Sequence, residues 1–83
     1  MAIEQITPKP SLTLGKYLHY KGNFYEVLEL ACHTETGVWY VIYKSLTPRE
    51  NRPDVWARPY EMFVEDVEVN GETIPRFKKV DET

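Results

Sequence analysis

The pair Asn70-Gly71, set between Val67-Glu68-Val69 and Glu72-Thr73-Ile74, restricts the fold of this chain more than any other feature. A two-residue type I′ turn needs positive φ at both central positions. Asn followed by Gly meets that need at little cost, so the segment predicts a tight β-hairpin. Counting outward from the turn sets Val69 opposite Glu72, Val67 opposite Ile74 and Glu65 opposite Arg76, with Asp66 facing Pro75. Proline checks this register independently. Asp66 and Pro75 fall at a non-hydrogen-bonded pair, so the missing N–H would point away from the partner strand, which only a sheet edge tolerates. Residues 72–77 are therefore expected at an edge or as a terminal strand.

Phe24 to His33 and Val38 to Lys44 are rich in aromatic and β-branched residues and flank Thr34-Glu35-Thr36-Gly37. This pattern predicts a second hairpin, with Gly37 in the left-handed position that ends a three-residue loop. Its two faces are both apolar: Leu28, Leu30, Cys32, Tyr40 and Ile42 on one, Val27, Ala31, Val41 and Tyr43 on the other. A strand apolar on both sides suits a closed or strongly curved sheet, and the pattern leaves open which face is buried. Gly15 to Tyr20 reads as a first strand ending at a Lys21-Gly22-Asn23 turn. Val55 to Arg58 reads as another, after the long polar loop Thr47 to Asp54. Pro59-Tyr60-Glu61-Met62-Phe63 supports one helical or 3₁₀ turn before β-branched Val64. The fold class is mainly β, a small five-stranded barrel with that one short turn.

Domain organisation follows from where this patterning stops. Residues 1–14 contain Thr7-Pro8-Lys9-Pro10-Ser11, whose prolines hold the chain extended and remove donors, so they form an N-terminal arm. Residues 15–77 are the barrel domain, and 78–83 are a polar C-terminal tail. With 83 residues the chain builds one core, which excludes a two-domain enzyme with an interdomain cleft. The single cysteine, Cys32, forms no internal disulfide. A short secreted chain would rely on several, so a reducing, cytoplasmic setting is expected. Met1-Ala2-Ile3-Glu4-Gln5 has no basic region and no apolar run of signal-peptide length, and no stretch approaches a membrane span, so neither feature is expected. Net charge is −3, and residues 15–77 hold seven basic against ten acidic side chains. That balance disfavours a nucleic-acid partner, whose affinity rests on neutralising phosphates.

Candidate chemistry is sparse. His19 and His33 are the two histidines, and Glu35 adds a third ligand type at His-x-Glu spacing; structural zinc usually takes four Cys or His ligands, so neither a metal nor another cofactor is expected. Cys32 beside His33 invites a nucleophile-and-base reading. Neighbours in a strand point to opposite faces, however, and the familiar phosphate-loop, Gly-x-Ser-x-Gly and CxxC signatures are absent. Trp56-Ala57-Arg58-Pro59-Tyr60 concentrates the residue types that dominate binding hot spots within five positions.

Gly15-Lys16-Tyr17-Leu18-His19-Tyr20-Lys21-Gly22-Asn23-Phe24-Tyr25-Glu26-Val27-Leu28, then Ala31-Cys32-His33-Thr34-Glu35-Thr36, Val41-Ile42-Tyr43, Trp56-Ala57-Arg58-Pro59, Met62-Phe63 and Pro75-Arg76-Phe77 resemble the domain-of-unknown-function family numbered 1653. That family consists largely of small stand-alone bacterial proteins. The resemblance covers nearly all of residues 15–77 and implies a short barrel of the SH3-like class. It implies no activity, and it marks His19, His33, Glu35, Tyr43, Arg58 and Arg76 as the polar positions of the family pattern. Residues 45–54 are longer than the usual family loop, and Cys32 stands where a basic residue is common.

These observations lead to a non-catalytic binding module that presents an aromatic and arginine surface around Tyr17, Trp56, Arg58 and Tyr60 to a protein or peptide. The alternative is a small-ligand or enzymatic pocket built on His19, His33, Tyr43 and Arg58, with the Arg58 guanidinium clamping an anionic group. Nucleic-acid binding ranks last because of the charge.

Overall fold

A computed structural model describes residues 7–80 of the chain. Seven strands and one helical turn follow in order: β1 (Gly15–His19), β2 (Phe24–Cys32), β3 (Trp39–Ser45), β4 (Val55–Pro59), α1 (Tyr60–Phe63), β5 (Asp66–Val69), β6 (Glu72–Pro75) and β7 (Phe77–Lys79). They make two antiparallel sheets, one of order β4-β3-β2-β1-β7 and one of β5 and β6 alone. No helix among the described residues is long and apolar enough to cross a membrane.

The β5–β6 hairpin has the register that Asn70-Gly71 dictates: Val69 pairs with Glu72, Val67 with Ile74 and Asp66 with Pro75. Asn70 and Gly71 adopt φ of 52° and 80°, as a type I′ turn requires. One step further out, the Arg76 amide donates to the Glu65 carbonyl at 3.2 Å and the two side chains pair at 3.0 Å. Beyond Pro75 the chain leaves this hairpin, and Phe77–Lys79 pairs with β1 instead. The sheet thus extends two residues into the segment assigned from sequence to the C-terminal tail. Lys78 and Lys79 enter it because pairing uses only their backbones, and Lys79 Nζ caps the Val80 carbonyl at 2.9 Å.

In the β2–β3 hairpin Gly37 is left-handed, at φ 76°. Its loop holds four residues rather than three: the His33 amide donates to the Val38 carbonyl and the Gly37 amide to the His33 carbonyl, both at 2.8 Å. The ambiguity of the two apolar faces is resolved by a β-bulge. Pairing shifts between Val27 and Glu29, leaving Leu28 as the extra residue and reversing the parity of β2 beyond it. Val27 and Leu30 therefore both face inward, opposite Tyr43 and Val41, while Leu28 and Glu29 are exposed. Ala31, Tyr40, Ile42 and Ala57 line a shallow apolar surface on the outer side.

The five-stranded sheet curls but does not close, which corrects the expected five-stranded barrel. β4 and β7 are its opposite edges and exchange no ladder hydrogen bonds, since β7 has three residues and β4 ends at Pro59, which has no N–H. Side chains span the gap, with the Arg58 guanidinium 5.8 Å from the centre of the Phe77 ring. Inside the curve lie Tyr17, Val27, Leu30, Val41, Tyr43, Phe63 and Phe77. Phe63, carried by the single turn α1, stacks on Phe77 at 4.1 Å and meets Tyr17 and Tyr43 edge-on at 5.5 and 5.3 Å.

Residues 7–14 run extended, without a ladder, across one end of this inner face. Three aromatic donors hold them. Trp39 Nε1 donates to the Thr7 carbonyl at 2.9 Å, the Tyr60 hydroxyl to Ser11 at 3.2 Å and the Tyr17 hydroxyl to Thr13 at 2.6 Å, while Leu12 packs on the core.

Candidate functional site

Strand alternation and register place the opposite end of the inner face. Tyr17 and His19 share a side of β1, Tyr25 and Val27 of β2, Val41 and Tyr43 of β3, and Trp56 and Arg58 of β4. Cross-strand pairing then aligns His19 with Phe77, Tyr17 with Tyr25, Tyr43 with Trp56 and Val41 with Arg58. Beyond the core residues this gathers His19, Tyr25, Tyr43, Trp56, Arg58 and Phe77, joined by Arg52 from the loop before β4, around a cavity of about 160 Å³. Tyr25, Arg52 and Trp56 also border an adjoining hollow of about 120 Å³ lined by Asn23, Ser45, Thr47, Arg49 and Pro53.

The floor is aromatic and the polar groups are mostly donors. Arg58 Nε donates to the Tyr43 hydroxyl at 3.2 Å, which fixes the guanidinium and leaves the hydroxyl proton free to point elsewhere. The Arg52 guanidinium lies 5.7 Å from the Trp56 ring. His19 is set edge-on against Phe77 at 4.8 Å, and its Nδ1 accepts the Lys21 backbone N–H at 3.1 Å. That bond puts the proton of the neutral ring on Nε2, so His19 too offers a donor. Burial lowers the His19 pKa from its ordinary value, and the nearby Arg58, Arg76 and Lys21 charges lower it further. Trp56 Nε1 and Arg76 Nε are buried with no hydrogen-bond partner. No carboxylate lines the cavity, and among the described residues none pairs with Arg52 or Arg58.

Of the residues singled out from sequence, His19, Tyr43, Trp56 and Arg58 come together here; four do not. His33 and Glu35 belong to the β2–β3 loop, at the other end of a nine-residue strand. There the His33 Nδ1 accepts the Glu35 amide at 3.2 Å and lies 3.2 Å from the Thr36 hydroxyl, so the imidazole orders its own loop. Tyr17 is 5% exposed and belongs to the core, and its hydroxyl pKa is raised by burial and by Tyr60. Tyr60 packs against the core and spends its hydroxyl on the arm. The surface expected around Tyr17 and Tyr60 is therefore occupied by the chain's own residues 7–13. Cys32 Sγ sits 3.8 Å from the His33 carbonyl and makes no pair with the His33 ring.

Sequence reasoning missed Tyr25, Arg52 and Phe77 as lining residues. Tyr25 was within reach, because it shares parity with Val27 and lies two residues after the Lys21-Gly22-Asn23 turn. Phe77 required knowing that the chain leaves β6 to pair with β1, and no local signal marks that step.

The family model for DUF1653, described as a protein of unknown function, matches residues 15–79. The fold is similar to a crystal structure of a DUF1653 protein from Bordetella bronchiseptica, at 33% identity over 87% of this chain and 91% of that one, with a TM-score of 0.78. No curated protein matches the chain.

Proposed function

This chain belongs to the DUF1653 family of unknown function, and we propose that it is a non-catalytic binding module whose ligand presents one anionic group, a carboxylate or a phosphate, to the His19–Tyr43–Arg58 cavity. One observation carries this reading. In a chain with more acidic than basic side chains, Arg52 and Arg58 stand over an aromatic floor with no carboxylate partner among the described residues, beside a buried indole N–H that has no acceptor among them. Unmet donors in a partly buried site favour an acceptor of negative charge, and charge-assisted hydrogen bonds are the strong ones. Size narrows the class. About 160 Å³ is below the ~300 Å³ at which pockets begin to enclose a drug-sized molecule, so the cavity takes a single group and not a whole cofactor. A peptide side chain or terminus suits it, with Trp56 and Arg52 at the rim supplying contact area.

The test is an NMR titration of the protein with acetate, inorganic phosphate and an acidic peptide, following the His19 ring and the Trp56 indole. Anion binding raises the His19 pKa and shifts the indole resonance. Arg58→Gln, which keeps a polar amide and removes the charge, weakens binding about 10-fold or more, since a hydrogen bond to a charged group contributes ~1.5–3 kcal/mol. Equal affinity in Arg58→Gln, or a Trp56 indole that no anion moves, overturns the reading. Tighter binding of the peptide than of the free anions identifies a peptide as the carrier; equal binding identifies the small anion.

A further inference from the structure

We propose that the aromatic groove holding residues 7–13 is an exchange site, in which the arm of a second copy replaces the chain's own and two molecules dock by trading arms about Gly15. The groove recognises backbone. Trp39 Nε1, the Tyr60 hydroxyl and the Tyr17 hydroxyl come from β3, α1 and β1, and each donates to a main-chain carbonyl of the arm. Pro8 and Pro10 hold those carbonyls extended and cannot donate to a strand, so the arm lies on the sheet without joining it. Docking aromatic donors on a preformed, proline-containing segment is a recurring mode of peptide recognition, and its occupant here is on display. A second copy carries the identical segment and meets the identical donors.

The arm is also built to leave. Leu12 is the residue of the arm that packs on the core; Thr7, Pro8, Lys9, Ser11, Thr13 and Leu14 are exposed. Gly15, where the arm meets β1, has φ +117°, a conformation that side chains rarely adopt, and it serves as the hinge. The sheet's ladder is not interrupted when the arm swings out, because β1 begins at that residue. Exchange of an identical element is self-complementary and closes as a two-fold dimer. The tether sets its strength. An arm on a short linker competes at an effective concentration of about millimolar, so exchanged dimers populate as the protein approaches that concentration.

The test uses the full chain. A nitroxide is attached at Lys9→Cys in a Cys32→Ser background at natural isotope abundance, and this protein is mixed with ¹⁵N-labelled chain that carries no nitroxide. Exchange broadens the Trp39 indole and Tyr60 amide of the ¹⁵N copy, increasingly as total protein rises through 0.1 to 1 mM on the order expected from the tether. Sedimentation equilibrium of the unmodified chain then gives a dimer of matching dissociation constant. Two results overturn the proposal: a chain that stays monomeric and shows no broadening at Trp39 in the mixed sample up to about 1 mM, and a dimer in sedimentation with no broadening at Trp39 in that sample, which would place the contact elsewhere.

Discussion

Replacing Phe63 by Ala tests whether one side chain on a four-residue turn holds the curved sheet together. The ring is 1% exposed, stacks on Phe77 at 4.1 Å and touches Tyr17 and Tyr43 edge-on, so its loss removes three ring contacts and leaves a void among packed rings. Burial of this kind places the change in the upper part of the ~3–5 kcal/mol range for Phe→Ala. A domain of 83 residues has about 4–12 kcal/mol in total, so the variant retains a small margin or none. At ~4–8 °C per kcal/mol, the thermal midpoint falls by roughly 15–40 °C, measured by calorimetry and checked by urea unfolding at constant m. Phe63→Leu, which keeps most of the volume, loses about 1 kcal/mol. Met62→Ala, on the neighbouring residue at 46% exposure, stays within ~0.5 kcal/mol and controls for damage to the turn itself. A loss below about 1 kcal/mol for Phe63→Ala would refute the argument that this ring is the central plug.

Gly71→Ala should cost about 1–2 kcal/mol in urea unfolding, all of it conformational: φ is 80° and the added methyl meets nothing within 4 Å, so no clash contributes. His19 imposes a pH dependence whose sign follows from its lowered pKa. The unfolded chain takes up the proton first, so the contribution of His19 is fully present above about pH 6.5 and is lost as pH falls from there toward the lower folded value. The thermal midpoint of wild type therefore declines between pH 7 and 5.5 more than that of His19→Gln, and parallel slopes would refute the assignment.

What could be read in the sequence depended on whether a residue carries its own geometry. Asn70-Gly71 and Pro75 do, because positive φ and a missing N–H act locally, and the β5–β6 register followed residue for residue. The β2–β3 hairpin was legible as a hairpin but not in its facing. The bulge at Leu28 is an extra residue in the ladder, and nothing in Val27-Leu28-Glu29 announces it. Closure of the sheet was misjudged for a related reason: apolar residues on both sides of a strand fit a closed barrel, but they fit equally a curled sheet with an apolar patch outside, as Ala31, Tyr40, Ile42 and Ala57 provide. At the cavity, His19, Tyr43, Trp56 and Arg58 are residue types that stand out in a sequence, and the fold brings them together. Tyr17 and Tyr60 lie against the core and the arm, and a tyrosine that faces a core looks the same in sequence as one that faces a partner. Only the arm lying across their hydroxyls distinguishes them.

The two tryptophans stand at opposite ends of the inner face, Trp39 bonded to the arm and Trp56 bordering the donor-lined cavity. Each end of the molecule thus carries its own intrinsic fluorophore. Arg52, 5.7 Å from the Trp56 ring, makes that emission sensitive to any charge brought alongside it, while Trp39 emission shifts to the red when its indole exchanges a carbonyl for water. With Trp39→Phe silencing one signal and Trp56→Phe the other, events at the two ends can be timed separately in an unlabelled chain.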